Sequence, residues 1–173
     1  MALLPILTAP DRRLKQKSAP VDRVDQAIRR LMDDMLATMY AAPGIGLAAP
    51  QVGVLKQVIV VDVGLEQDQQ RPVPLLLANP RIVQMEGELT WKEGCLSVPD
   101  QSAEVLRAAV IDVHALDQDN RPVRIEATGL LAVCLQHEID HLHGTLFIDR
   151  LSRLKRAIIL QKLKKAAEGK ERE

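Results

Sequence analysis

Aromatic side chains are nearly missing from this chain: Tyr40, Trp91 and Phe147 are the only three in 173 residues. A protein that grips single-stranded nucleic acid by base stacking normally needs more. Cysteine is just as scarce. With only Cys95 and Cys134 there can be no disulfide framework, which leaves core packing, metal ligation or nucleophilic chemistry for the two thiols. No stretch approaches the roughly 18 uncharged apolar residues of a membrane span. The N-terminal Met1-Ala-Leu-Leu-Pro-Ile-Leu is apolar but brief, has no basic leader and runs directly into Pro10-Asp11-Arg12-Arg13. No signal peptide is read there, and the cytoplasm is the expected location. Net charge is also absent, since 23 Lys and Arg balance 23 Asp and Glu. That balance hides an asymmetry. Residues 150–173 hold nine basic against three acidic residues, so the first 149 carry the compensating negative excess. A basic tail on a neutral chain points to a local anionic partner rather than to general nucleic-acid affinity.

What is present is ordinary for a globular protein: 47% apolar and 27% charged residues, enough for one domain spanning 1–173 with a real core. Residues 22–40 read as an amphipathic helix, with Val24, Ala27, Ile28, Leu31, Met35 and Met39 at three- and four-residue spacing. Pro43-Gly44 ends it. The run Gly44-Ile-Gly-Leu-Ala-Ala-Pro-Gln51 reads as a small-residue loop, and 57–63 as a buried β-branched strand. A polar loop is expected over 66–74, then short strands near 75–78, 81–85 and 88–91. Val110–Leu116 and 122–127 flank the turn residues Asp117-Gln-Asp-Asn120, which predicts a hairpin. Thr128 is placed to cap a helix over Gly129–Leu142 that Gly144 stops. Ser152 is placed to cap a last helix, about 152–168, with Leu154, Ile158 and Leu163 as its apolar face. The order of helix, many short strands, helix and helix predicts an α+β fold of mostly antiparallel strands around a central helix.

That central helix carries His137-Glu138-Ile139-Asp140-His141. Residues four apart on a helix point the same way, so the two imidazoles can share one ion. Glu138 lies about 100° further round and can approach a water on that ion, taking its proton and handing it on. An open catalytic site needs a third protein ligand. Cys134 lies about 10.5 Å along the axis from His141 and cannot join it on one ion. His143 is rotated about 200° from His141 and reads as structural or solvated, and His114 sits in an expected strand. The metzincin pattern would put its third histidine where this chain has Phe147, which speaks against that family. Cys95, within Glu93-Gly94-Cys95-Leu96-Ser97-Val98-Pro99, is then the best remaining ligand. Gly44-Ile-Gly46-Leu-Ala-Ala49 fits a dinucleotide-binding fingerprint, but it follows a helix and precedes a strand. The context is wrong, and the nucleotide reading fails.

Three segments together resemble the peptide deformylases: Gly44-Ile-Gly46-Leu-Ala48-Ala49-Pro50-Gln51, then Glu93-Gly94-Cys95-Leu96-Ser97, then Gln136-His137-Glu138-Ile139-Asp140-His141. They occur in that family's order, and the basic last helix is similar to that of its bacterial type. The resemblance implies hydrolysis of the N-formyl group from the initiator methionine of newly made polypeptides, with release of formate. It implies Cys95, His137 and His141 as ligands of Fe²⁺, for which Zn²⁺ or another divalent metal can substitute, with water as the fourth ligand. It also assigns oxyanion donation to the Gln51 amide and the Leu96 N–H, and proton transfer to Glu138. By position, Ile45, Trp91, Leu130, Val133 and Cys134 are expected to line a methionine slot. Gly44, Gly46 and Gly94 would let the substrate backbone approach and add like a strand. Ser102 stands where many relatives carry an aromatic or arginine side chain near the substrate mouth, which implies weaker contacts beyond the first residue. Arg107 is expected to pair with Glu93, and the C-terminal helix to dock on ribosomal RNA; a monomer without membrane attachment is expected. The rival reading is a zinc metallopeptidase sharing His-Glu-x-x-His.

Overall fold

The structure is a computed structural model that describes residues 1–64 and 74–171. The expected polar loop at 66–74 lies outside the described residues except for Pro74. Three helices are seen among them: α1 (Gln26–Ala41), α2 (Gly129–Leu142) and α3 (Arg153–Glu171). The strands are β1 (Gly46–Ala48), β2 (Val58–Val61), β3 (Leu75–Glu86), β4 (Leu89–Cys95), β5 (Val98–Arg107), β6 (Val110–Leu116) and β7 (Pro122–Thr128). Every strand pairing is antiparallel. One sheet runs β1-β2-β3-β6-β7, and β4 with β5 forms a separate two-stranded sheet. The α+β expectation holds.

Strand β2 explains how the layers form. All four residues of Val58-Ile59-Val60-Val61 are buried, and a strand's side chains alternate between its two faces. Val58 and Val60 join Ile28, Met32, Met35 and Met39 of α1, while Ile59 and Val61 join Ala132, Leu135, Ile139 and Leu142 of α2. The sheet is therefore sandwiched, with α2 on its inner face. A third apolar cluster, Leu14, Val98, Val105, Phe147, Ile148, Ile159 and Leu163, packs α3 against the β4–β5 sheet.

Several element boundaries differ from the sequence reading. Helix α1 begins at Gln26 rather than residue 22, because the Asp25 side chain accepts the Ile28 N–H and caps it. Part of the supposed glycine loop is β1, paired with β2. The strands expected at 75–78 and 81–85 are one strand with register irregularities, including one between Ala78 and Arg81. There Asn79 has φ 50°, and its side chain bonds both backbone groups of Val21. Strand β5 had no counterpart in the sequence reading. Its Pro99, Asp100 and Ser102 are poor strand formers, so pairing with β4 decides it. Thr128 is extended but makes no side-chain cap. Ser152 does cap α3, through the Lys155 N–H at 3.2 Å. The apolar face of α3 is corrected: Ile159 and Leu163 are buried, whereas Leu154 is 71% and Ile158 46% exposed.

Gly144 sits past the end of α2 at φ +75°. A Cβ there would come 2.5 Å from the backbone oxygen of Lys15. Only glycine lets α2 end against the N-terminal 3₁₀ turn Arg12–Lys15.

Candidate active site

Helix α2 is buried along almost its whole length, including Gln136, His137, Glu138 and His141. Such burial of polar groups demands partners. Gln136 donates to Ala108 O at 2.9 Å and to Ala132 O at 3.0 Å, and it accepts the Ala108 N–H at 3.0 Å. This pins α2 to the β5–β6 connection and turns its next residues toward the β4–β5 hairpin. The hairpin in turn delivers Cys95 to the helix. Cys95 Sγ lies 3.4 Å from His141 Nε2, and the ligand atoms of Cys95, His137 and His141 are all within 4.8 Å of one another. A tetrahedral ion with ordinary bond lengths would hold sulfur and nitrogen about 3.6 Å apart, so the observed pair needs little adjustment. The donor set of one thiolate and two imidazoles fits a divalent transition metal.

The partners outside this trio fix its orientation. His137 Nδ1 faces Glu93 Oε1 at 2.8 Å, which leaves Nε2 as the free ring nitrogen. Phe147, at the position where a metzincin would have its third histidine, is buried and stacks on His137 with ring centroids 6.1 Å apart. The expected Arg107–Glu93 pair is present: Nε reaches Oε2 and Nη2 reaches Oε1, each at 2.7 Å. Arg107 and its hydrogen bonds hold the Glu93 carboxyl below its usual range against the opposing effect of burial. Sequence reasoning attached no role to Ser97, Gln136, Asp140 or Arg150. A ligating histidine nearly always needs an acceptor on its other nitrogen, and that rule was the signal available for Glu93 as the partner of His137.

Glu138 is 3% exposed, and its Oε1 has no hydrogen-bond partner. Burial lifts its carboxyl to about 7, with His137 opposing the rise and Glu93 adding to it. Oε1 lies 4.0 Å from His141 Nε2. An acid–base group with a pKa near neutrality beside a ligand trio is suited to moving a proton. Gln51 is equally buried, and its amide orientation is fixed from both ends. Oε1 accepts the Ala48 N–H at 2.9 Å, and Nε2 donates to Ser97 Oγ at 3.0 Å and lies 3.6 Å from Cys95 Sγ. One amide hydrogen is thus taken up by Ser97 and the other faces the Cys95 sulfur, so the amide is oriented before any ligand arrives.

Above these groups opens a cavity of about 410 Å³. Gly44, Ile45, Gly46, Trp91, Gly94, Leu96, Leu130, Val133 and Cys134 all border it, together with Gln51, Cys95, His137 and Glu138. Every residue that the sequence reading placed in the site touches this cavity except His141, which lies beneath it. Trp91 is 39% exposed at the rim. Cys134 contributes to the wall, its Sγ 3.6 Å from Ile45 O, and burial pushes its thiol pKa well up. Gly46 is indispensable to this packing. A Cβ there would lie 2.6 Å from Glu138 Oε2 and 2.8 Å from Cys134 Sγ. Ser102 is exposed on β5, while Asp100 and Gln101 of that strand border the cavity. His143 is exposed at the end of α2, as expected. His114 lies on β6 in the five-stranded sheet, outside the ligand trio.

The polypeptide deformylase family model matches residues 3–157. The chain is 56% identical over 165 residues to a peptide deformylase of Alkalilimnicola ehrlichii, covering 95% of this chain and 91% of that protein. It is 54% identical over 169 residues to one from Methylocella silvestris, covering 96% and 86% respectively. Among solved structures, the peptide deformylase of Ehrlichia chaffeensis in complex with actinonin superposes with a TM-score of 0.91 at 46% identity, over 96% of this chain and 98% of that one. A pre-formed cysteine–imidazole trio, a buried carboxyl beside it and a cavity above it agree with these likenesses: the chain belongs to the polypeptide deformylases, metal-dependent hydrolases that remove the N-formyl group from nascent polypeptides.

Proposed function

We propose that Cys95, His137 and His141 hold the divalent metal, and that Glu138, Gln51 and Leu96 carry the chemistry around it. The observation behind this reading is the convergence of three ligand atoms within 4.8 Å of one another with an unpartnered carboxylate oxygen on Glu138. The metal, when bound, supplies Lewis acidity and makes a water acidic enough to ionise near neutral pH. The ion is Fe²⁺ in this proposal, with Zn²⁺ able to substitute.

The protein groups then do the following. Glu138 takes the proton as water oxygen bonds to the formyl carbon, and returns it to the amine nitrogen as the C–N bond breaks. Formate and a free methionine amine result. The Gln51 Nε2 hydrogen on the Cys95 side and the Leu96 backbone N–H receive the charge that develops on the formyl oxygen. Because Gln51 is held by Ala48 and Ser97, no reorganisation is needed at that moment. Ile45, Trp91, Leu130, Val133 and Cys134 take the methionine side chain. Gly44, Gly46 and Gly94 leave room for the substrate backbone to lie alongside as an added strand. Ser102 does not border the cavity, and contacts past the methionine come in this proposal from Asp100 and Gln101, which do.

A zinc metallopeptidase is the rival chemistry, and the substrate distinguishes the two. Anaerobic purification, metal analysis and a formate-release assay on the same sample test the proposal. Formyl-Met-Ala should be cleaved, acetyl-Met-Ala and internal peptide bonds should not. Cleavage of internal bonds, or full activity in a Cys95→Ala variant, would overturn it.

The basic helix α3 is proposed to dock on ribosomal RNA near the emerging chain, and the enzyme to act in the cytoplasm as a monomer folded as one domain over 1–173. Leu154, Ile158, Lys155, Lys162 and Lys165 are exposed on α3, a mixed basic and apolar surface suited to phosphate contact. Removing the helix would also remove the buried Ile159 and Leu163, so charge reversal is the cleaner test. Lys155, Lys162 and Lys165 changed together to Glu should abolish co-sedimentation with ribosomes and spare cleavage of free formyl-Met-Ala. Undiminished co-sedimentation would refute the docking. No helix among the described residues is long and apolar enough to cross a membrane.

A further inference from the structure

A continuous run of charge-assisted hydrogen bonds leads from the ligand trio to the protein surface. His137 Nδ1 meets Glu93, Glu93 is gripped at both oxygens by Arg107, and Arg107 Nη1 reaches Asp140 Oδ2 at 2.6 Å. Arg150 closes the run, placing Nε on Asp140 Oδ2 and Nη2 on Asp140 Oδ1, both at 2.7 Å. Charges alternate along it. The Glu93 and Arg107 side chains are 4% and 1% exposed, Asp140 is 14% exposed and Arg150 45%.

Without Arg150, the single buried guanidinium of Arg107 would face two carboxylates. Asp140 would be free to draw Arg107 toward itself and loosen the fork on Glu93, because a partly buried carboxylate with no other cation competes for the nearest one. Arg150 satisfies Asp140 from outside. It does so with the planar two-point geometry that only arginine offers a carboxylate. Arg150 also ends the 3₁₀ turn Phe147–Arg150, whose Phe147 stacks on the same His137 ring. One turn, lying directly before α3, therefore holds His137 by an aromatic face and by a charged chain.

We propose that Arg150 is a positioning residue for the metal site. Its fork on Asp140 keeps Arg107 seated on Glu93, fixes the His137 ring, and ties the grip on the metal to the seat of the C-terminal helix. The proposal rests on His137 being a ligand, as inferred above.

The test compares zinc-loaded wild type with Arg150→Gln, Arg150→Lys and Asp149→Asn, following zinc release to a chromophoric chelator, thermal stability and the kinetics on formyl-Met-Ala. Asp149 serves as a control because it secures the same turn, through Leu146 N and Arg156, without contacting the chain to His137. Arg150→Gln should release zinc about 10-fold faster, the low end of the effect of losing an outer partner, and lose kcat with KM unchanged. Arg150→Lys, which keeps the charge and loses the fork, should recover only part of the difference. Asp149→Asn should lower the melting temperature without hastening release. Release from Arg150→Gln at the wild-type rate, or equal acceleration in Asp149→Asn, would overturn the proposal. Cys95→Ala, which should bind no zinc at this site, checks the ligand reading independently.

Discussion

Glu138 is pulled in two directions. Burial lifts its carboxyl to about 7, whereas a divalent cation beside it favours the ionised form. A group balanced in this way can accept a proton and release it again within one catalytic cycle. Glu138→Ala should therefore retain the metal and lose turnover by roughly 10²- to 10⁴-fold. Metal analysis and formate release on the same preparation check this, and survival of turnover would remove the proton-carrying role. Gly46 works by having no side chain. Its missing Cβ leaves space that Glu138 Oε2 and Cys134 Sγ occupy, so a side chain there would push the Glu138 carboxyl out of place. Gly46→Ala should keep the fold but lower kcat/KM on the order of 10²-fold, the usual cost of a catalytic group displaced by about an ångström. Steady-state kinetics beside a thermal melt separates that loss from unfolding.

Helix α3 offers two apolar pairs at four-residue spacing, Leu154 with Ile158 and Ile159 with Leu163, on different faces, and packing selects one of them. Leu163 lies nine residues from Leu154, about 180° round the helix: Ile159 and Leu163 are buried, whereas Leu154 is 71% exposed. The helix is seated by Asp149, which holds Arg156 and Lys15, and by the packing of Ile159 and Leu163 over Phe147 and Ile148. Leu163→Ala should cost about 2–4 kcal/mol through the cavity it leaves. Leu154→Ala should cost less than about 0.5 kcal/mol. Denaturant titration of the two variants measures both. The same seat has a pH signature. Burial raises the Asp149 carboxyl pKa, but its bonds from Lys15, Leu146 N and Arg156 outweigh that and leave it below the ordinary 3.8. Its contribution to stability is fully present above the unfolded value and is lost as pH falls through the folded one. The difference in unfolding free energy between wild type and Asp149→Asn should therefore be constant near pH 6 and shrink below about pH 4. A difference that stayed constant down to pH 3 would contradict this assignment.

At the scale of the molecule, the proposed metal joins two parts that have separate apolar clusters. Cys95 belongs to the β4–β5 sheet and both histidines to α2, which packs on the five-stranded sheet. An ion bound by all three stabilises the folded state alone. Chelation should lower the melting temperature of wild type and leave that of Cys95→Ala unmoved, as calorimetry with and without chelator would record. Much of this protein was legible before its structure. The four-residue spacing of His137 and His141 comes from helix geometry, and the strand content of Val58–Val61 from β-branched residues. The β6–β7 hairpin comes from its turn residues. Such features depend on neighbours along the chain, so local sequence determines them. Strand β5 was not legible, because its residues are poor strand formers and its partner β4 supplies the pairing. Nor were the buried face of α3 or, beyond the expected Arg107–Glu93 pair, the links from His137 to Glu93 and from Arg107 through Asp140 to Arg150. Those depend on residues far apart in sequence meeting in a water-excluded interior. There an unpaired charge or an uncovered apolar face carries its full desolvation cost, and only tertiary packing decides which groups meet.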